Sequence, residues 1–138
     1  MHGLNLGTLL RTCDAVGACM ALPRLPWAPE ALARGNTLRR PACVHWTGRD
    51  VENWLRDQGT SGSHVIGVEL VEEAVALADL PAARRRTVAV LGNESSGIPS
   101  SALDLIDLFV EIPMVGTGAS LNVAVAGSLV LYRLAGLL

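Results

Sequence analysis

The chain has 138 residues, half of them hydrophobic and 17% charged, which suits one domain with a buried core and excludes a disordered chain. Its formal net charge is −2 and all 11 basic residues are arginine, so a polybasic tail or membrane-binding patch is excluded. Nucleic-acid binding stays open, with a footprint that is small or shared with another chain.

Residues 1–12 lack a basic region leading into an apolar run, so they do not read as a signal peptide. Leu6, Leu9, Leu10, Cys13 and Val16 recur at helical spacing, with Asn5 placed as the N-cap and Gly17 as the stop. Residues 18–22 read as a short strand, 23–29 as a proline-rich loop, 30–34 as a short helix and 42–46 as a strand. An amphipathic helix over 50–57 ends at Gly59. Residues 64–70 are strand-like and 72–79 helical. Thr87–Leu91 is the clearest strand, a β-branched run suited to a sheet buried on both faces. Pro99 opens a helix through Ile106, and 108–112 is a further strand. A loop with two glycines follows, and Ser120 caps the last helix. That helix carries Asn122 and Arg133 and is broken by glycines, so it reads as buried rather than membrane-spanning.

Strands interleaved with helices imply an α/β fold: a mostly parallel sheet with helices on both faces, read as one domain over 1–138. Ligands in such folds sit outside the carboxyl ends of the strands. Cys13, Cys19 and Cys43 are odd in number, form no C-x-x-C pair and have no histidine at zinc-ligand spacing. They read as reduced core cysteines of a cytoplasmic protein, and no metal is expected. His2, His45 and His64 read as structural or surface residues. Trp27, Trp46 and Trp54 read as core packing before base-stacking.

Three stretches carry chemistry. In Leu91–Pro99 (LGNESSGIP), Gly92 and Gly97 bracket Asn93, Glu94, Ser95 and Ser96, more polar and flexible residues than a plain strand-to-helix turn needs. A serine-nucleophile elbow would need glycine where Asn93 stands, and every histidine precedes Ser95, so the sequence speaks against serine hydrolysis. In the stretch 112–127, Gly116 and Gly118 form half of a dinucleotide fingerprint, but only a helix follows, so a nucleotide-binding oxidoreductase is weakly supported. Asn122 lies past the cap position in an apolar helix and needs a polar partner if buried. Near the start, Arg11 is the one charge in an apolar helix before Asp14. It fits a surface arginine or a phosphate contact. Arg39–Arg40 and Arg84–Arg86 read as solvated charges or phosphate contacts.

In order, N-x-G-x-x-x-R, LGNE-x-x-GIP and IPM-x(5)-SLNVAVAG resemble the three motifs of the SpoU/TrmH-type RNA ribose 2′-O-methyltransferases of the SPOUT superfamily. Asn5, Gly7 and Arg11 match the first motif. Gly92, Asn93, Glu94 and Gly97 match the second. Pro113, Ser120, Leu121 and Asn122 match the third. The resemblance implies a C-terminal deep trefoil knot, an exception to the rule that chains are unknotted. It further implies a homodimer and an S-adenosylmethionine cofactor held by Leu91, Gly92, Asn93, Gly97, Ile112, Met114, Ser120 and Leu121. The catalytic set it implies is Arg11, Asn5, Glu94, Ser120 and Asn122. Arg11 would serve the partner subunit's cofactor and clamp an RNA phosphate in preference to acting as the base, since a guanidinium is a poor base. Asn5, Ser120 and Asn122 would orient the ribose and Arg11, and Glu94 would hold the network. The expected substrate is RNA, with tRNA favoured over rRNA; a degenerate dimer that binds cofactor or RNA without catalysis is the alternative. Family members carry an apolar strand ahead of the N-x-G motif, whereas four residues precede Asn5 here, so the expectation is either a truncated start or a sheet that lacks one strand and exposes an edge in need of cover. With no lysine, no added RNA-binding domain and a pI near 5.9, RNA affinity is expected to be modest.

Overall fold

The computed structural model describes residues 3–35, 38, 41–118 and 120–138. Apolar residues at helical spacing build α1 (Gly3–Val16), whose inner face of Leu6, Leu9, Leu10 and Cys13 is buried. Asn5 lies inside this helix, not at its cap, because the helix starts two residues earlier. Gly17 stops it with a φ of 73°, a left-handed conformation that suits glycine. The chain continues through β1 (Met20–Leu22), α2 (Ala28–Gly35), β2 (Val44–Trp46) and α3 (Val51–Thr60). The Asp50 side chain caps α3 by accepting from the Asn53 N–H at 2.9 Å.

The second half holds β3 (His64–Val68), β4 (Val75–Ala76), β5 (Thr87–Leu91), α4 (Ser100–Leu103), β6 (Leu108–Glu111) and α5 (Val123–Leu134). The expected helix over 72–79 is replaced by β4 and a single 3₁₀ turn, Leu77–Asp79. Tertiary partners override the local pattern there. Val75 and Ala76 pair with Val110 and Glu111 of β6. The Arg133 guanidinium donates to the carbonyls of Ala78 (2.7 Å) and Leu80 (2.6 Å), drawing them away from a helical ladder. The helix expected after Pro99 is one short turn, Ser100–Leu103.

All described strand pairs are parallel, in two sheets: β1-β2, and a four-stranded sheet ordered β4-β6-β3-β5. The consecutive residues Val65 and Ile66 of β3 are both buried, so both faces of the central strand are covered. Helix α5 joins the two cores. Ala124 packs into the cluster of α1, α2 and β1, while Val130 and Leu134 pack with Ile66, Leu80 and Val110 of the larger sheet.

Thr87–Leu91 is a strand, as expected, but it is half-buried at every position instead of covered on both faces. Among the described residues β5 pairs only with β3, and β1 only with β2. Their unpaired edges both line one trench of about 850 Å³, whose remaining walls include Leu6 and Leu9 of α1 and Trp54 and Leu55 of α3. The trench thus lies between the two sheets, along the β1 and β5 edges.

The cysteines differ from expectation. Only Cys13 is a free, buried thiol, its pKa pushed up to about 11 by burial. Cys19 and Cys43 are exposed and joined as a disulfide across β1 and β2. Residue separation hid this. The two lie 24 positions apart, but parallel pairing of Met20 with Val44 brings the preceding residues side by side, with Cα atoms 4.7 Å apart. The bond closes a loop of that length, so Cys43→Ser under oxidising conditions is expected to cost roughly 3 kcal/mol in urea unfolding. A loss below about 0.5 kcal/mol would show that the cross-link leaves stability untouched.

Candidate active site

The carboxyl ends of β3, β5 and β6 open onto a cleft of about 230 Å³. Leu91, Gly92, Asn93, Gly97, Ile112, Met114, Ser120 and Leu121 all line it. Apart from Leu91 at the end of β5, they come from two loops far apart in sequence, 92–99 after β5 and 112–122 after β6. The first loop is folded tightly on itself. Asn93 and Gly97 exchange backbone hydrogen bonds of 3.1 and 2.8 Å, and the Asn93 side chain accepts from the Ser95 N–H at 2.8 Å. At Gly92 a Cβ would sit 2.3 Å from the Gly97 carbonyl carbon, so only glycine lets the two backbones approach this closely. Gly97 has a φ of 69°, and its neighbour Ile98 donates its N–H to Glu69 Oε2 at 2.9 Å.

A chain of hydrogen bonds ties the three motif stretches together. The backbone N–H groups of Ala124 and Val125 donate to Asn122 Oδ1 at 2.8 and 3.3 Å. Asn122 Nδ2 donates to Asn5 Oδ1 at 3.1 Å, and Asn5 Nδ2 donates to Glu94 Oε1 at 2.9 Å. The order has a chemical cause. An ionised carboxylate only accepts, so Asn5 must turn its NH₂ to Glu94 and its oxygen to Asn122. Asn122, not Ser120, caps α5, because its amide oxygen reaches two orphan N–H groups at the helix start. Ser120 is exposed, lies two residues earlier and lines the cleft.

Asn5 is 7% exposed on α1, and Arg11 is exposed on the same helix. Six helical residues turn Arg11 roughly a third of a revolution from Asn5. It shares the outer face with Leu4 and Thr8, is not among the cleft residues, and no hydrogen bond or ion pair of its side chain occurs among the described residues. Asn5, Glu94, Ser120 and Asn122 are thus brought together within one chain, whereas Arg11 is not. Of the other candidates, Arg84–Arg86 are exposed, and His2 and Arg39–Arg40 lie outside the described residues. Gly116 and Gly118 stand in open space. Trp27 is exposed and so is not core packing, whereas Trp46 packs half-buried against the first core cluster with the Arg24 guanidinium 4.1 Å over its ring.

Sequence reasoning missed Glu69 and Glu111, acidic residues at the ends of β3 and β6 that line the cleft. The position of an acid just past a parallel strand was the available signal. It also missed the exposed cluster of Cys19, Cys43 and His45, whose ligand-type atoms lie within 4.8 Å of one another. Among the described residues no helix is long and apolar enough to cross a membrane.

The SpoU rRNA Methylase family matches residues 2–132. The chain is 33% identical over 134 residues to the tRNA (guanosine(18)-2′-O)-methyltransferase of Escherichia coli, covering 94% of this chain and 56% of that protein. It spans about half the length of the curated relatives it matches. Among solved structures, one described as giving insights into the 2-OH methylation of C/U34 on tRNA superposes with a TM-score of 0.79 at 26% identity, covering 98% of this chain and 88% of that one. The AdoMet-bound rRNA methyltransferase of Sinorhizobium meliloti superposes with a TM-score of 0.76 at 26% identity, covering 96% and 51%. Matched along nearly its whole length and sharing the neighbours' α/β fold, the chain belongs to the SpoU rRNA Methylase family.

Proposed function

We propose that the protein is an S-adenosylmethionine-dependent RNA methyltransferase acting on a ribose 2′-hydroxyl, in tRNA. The observation that carries this reading is the convergence of both glycine-bearing loops on one cleft, with Asn5, Glu94 and Asn122 hydrogen-bonded beside it. The cleft suits the donor chemically. Its apolar walls of Leu91, Ile112 and Leu121 offer contact to an adenine, and Glu69, Glu94 and Glu111 face a ligand that is positive at sulfur and amine. Its volume lies slightly under the roughly 300–1,000 Å³ of small-molecule pockets, so a donor seated there is not wholly enclosed. The AdoMet-bound neighbour and the tRNA-modifying relative support the reading.

S-adenosylmethionine would supply an electrophilic methyl on a sulfonium. The protein's part is to place the ribose oxygen in line with it, since near-attack geometry carries much of the rate. Ser120 lines the cleft as a hydrogen-bonding group for the ribose, and Asn122, engaged with the start of α5 and with Asn5, holds that network in place. Arg11 holds the adjacent RNA phosphate and offsets the negative charge developing on the 2′-oxygen. Because its own helix turns it away from its own cleft, Arg11 serves the cleft of a second copy, and the protein works as a homodimer. Leu4 and Val125, 83% and 48% exposed on α1 and α5, give that dimer an apolar contact. The single-domain reading of 1–138, knotting of the C-terminal segment and a cytoplasmic location accompany this proposal. rRNA as substrate is the second reading, favoured by the Sinorhizobium neighbour. Retention of Arg11, Glu94, Ser120 and Asn122 together speaks against a non-catalytic domain.

Calorimetry with S-adenosylmethionine and transfer of labelled methyl to total tRNA test the proposal directly. Saturable donor binding and ribose methylation in tRNA are expected; no donor binding would refute it. Arg11→Ala is expected to lower transfer by about a hundredfold while donor affinity stays within about twofold. Asn122→Ala removes a helix cap as well as a site residue. It is expected to cost about 1–2 kcal/mol in denaturant unfolding and to lower transfer by more than the lost folded fraction explains.

A further inference from the structure

We infer that Cys19, Cys43 and His45 form a binding site for a soft divalent cation, zinc above all, when the Cys19–Cys43 disulfide is reduced. Parallel pairing sets the three groups together. Side chains two apart on a strand share a face, so His45 projects beside Cys43, and the register Met20↔Val44 brings Cys19 alongside. The ligand-type atoms lie within 4.8 Å of one another, and Cys43 Sγ is 3.6 Å from His45 Nε2. A tetrahedral zinc with sulfur at about 2.3 Å and nitrogen at about 2.0–2.1 Å requires ligand atoms at roughly that sulfur–nitrogen separation. All three residues are exposed, so an ion has access, and two thiolates with one imidazole select zinc over calcium or magnesium.

The chemistry balances with a thiol reductant. Two thiols pass two electrons and two protons to the disulfide, becoming a disulfide themselves and leaving Cys19 and Cys43 as thiols. Zinc then displaces the two thiol protons and takes the neutral His45 nitrogen, with water in the fourth position. The β1–β2 pair is thereby fastened in either redox state, by a covalent bond when oxidised and by the ion when reduced. The buried Cys13 takes no part; its thiol is held protonated and lies outside the cluster.

The test is metal titration of the whole protein, oxidised and after reduction by a phosphine. Co²⁺ serves as the spectroscopic probe, and Zn²⁺ is measured by competition with a chromophoric chelator. The reduced protein is expected to bind one ion per chain with the absorption of tetrahedral thiolate-bound cobalt, and the oxidised protein none. His45→Ala keeps both cysteines, so its fold is checked by disulfide formation; it is expected to weaken zinc binding by at least about tenfold. Cys13→Ala is expected to change nothing. Absence of the cobalt spectrum in the reduced protein, equal binding by the oxidised form, or unchanged affinity in His45→Ala would each overturn the inference.

Discussion

The site depends on one chain of hydrogen bonds, running from the first N–H groups of α5 through Asn122 and Asn5 to Glu94. It starts at the positive end of a helix and finishes on a carboxylate, so each amide between them is polarised in the same sense. Asn5 is the middle link and is nearly buried. Breaking either of its bonds would leave a desolvated polar group, a cost of about 1–3 kcal/mol. The same link fixes the rotation of α1 against α5, which a second bond between Thr12 and Ser128 reinforces at 2.8 Å. Gly127 sits where the helices meet, and a Cβ there would come within 2.9 Å of Leu9 and 2.6 Å of Leu91, so those side chains would have to shift.

Once Asn5 is locked inward, Arg11 is turned outward by helical geometry alone. The motif that begins N-x-G-x-x-x-R therefore contributes to two places: its asparagine braces the cleft of its own chain, and its arginine is presented to whatever lies beyond. In the proposed homodimer, an acidic chain without lysine would gain by this arrangement, since sharing one site between two copies would double the arginine surface an RNA meets. The trench between β1 and β5 is a separate feature. Among the described residues β5, which feeds the Gly92 loop, is paired on one side only, and the trench runs along its other side up to Gly92 and Asn93.

Much of this was legible in the sequence. Parallel α/β organisation followed from alternating apolar runs, and the cleft residues Leu91 to Leu121 followed from the order of three motifs. What escaped was set by tertiary contact. The segment 72–79 has helical spacing, yet edge pairing with β6 and the reach of Arg133 make it a strand and a single turn. Ser120 looks like a cap because it precedes the apolar run. Asn122 takes that place because its side chain is held between the helix start and Asn5. The disulfide was invisible because strand register, not residue spacing, brings Cys19 to Cys43. The outward placement of Arg11 could be read from the 3.6-residue period once Asn5 was known to face inward.

In the proposed function a working site combines the cleft of one copy with Arg11 of another. Mixed dimers test it most directly. Arg11→Ala keeps its cleft but lacks the clamp. Gly92→Ala keeps Arg11 but has a Cβ forced into the Gly97 backbone. Each variant alone should fail to methylate RNA, and the purified mixed dimer, carrying one intact combination, should regain the activity of a single site. A mixed dimer as inactive as its parents, or a wild-type protein fully active as a monomer, would contradict the claim.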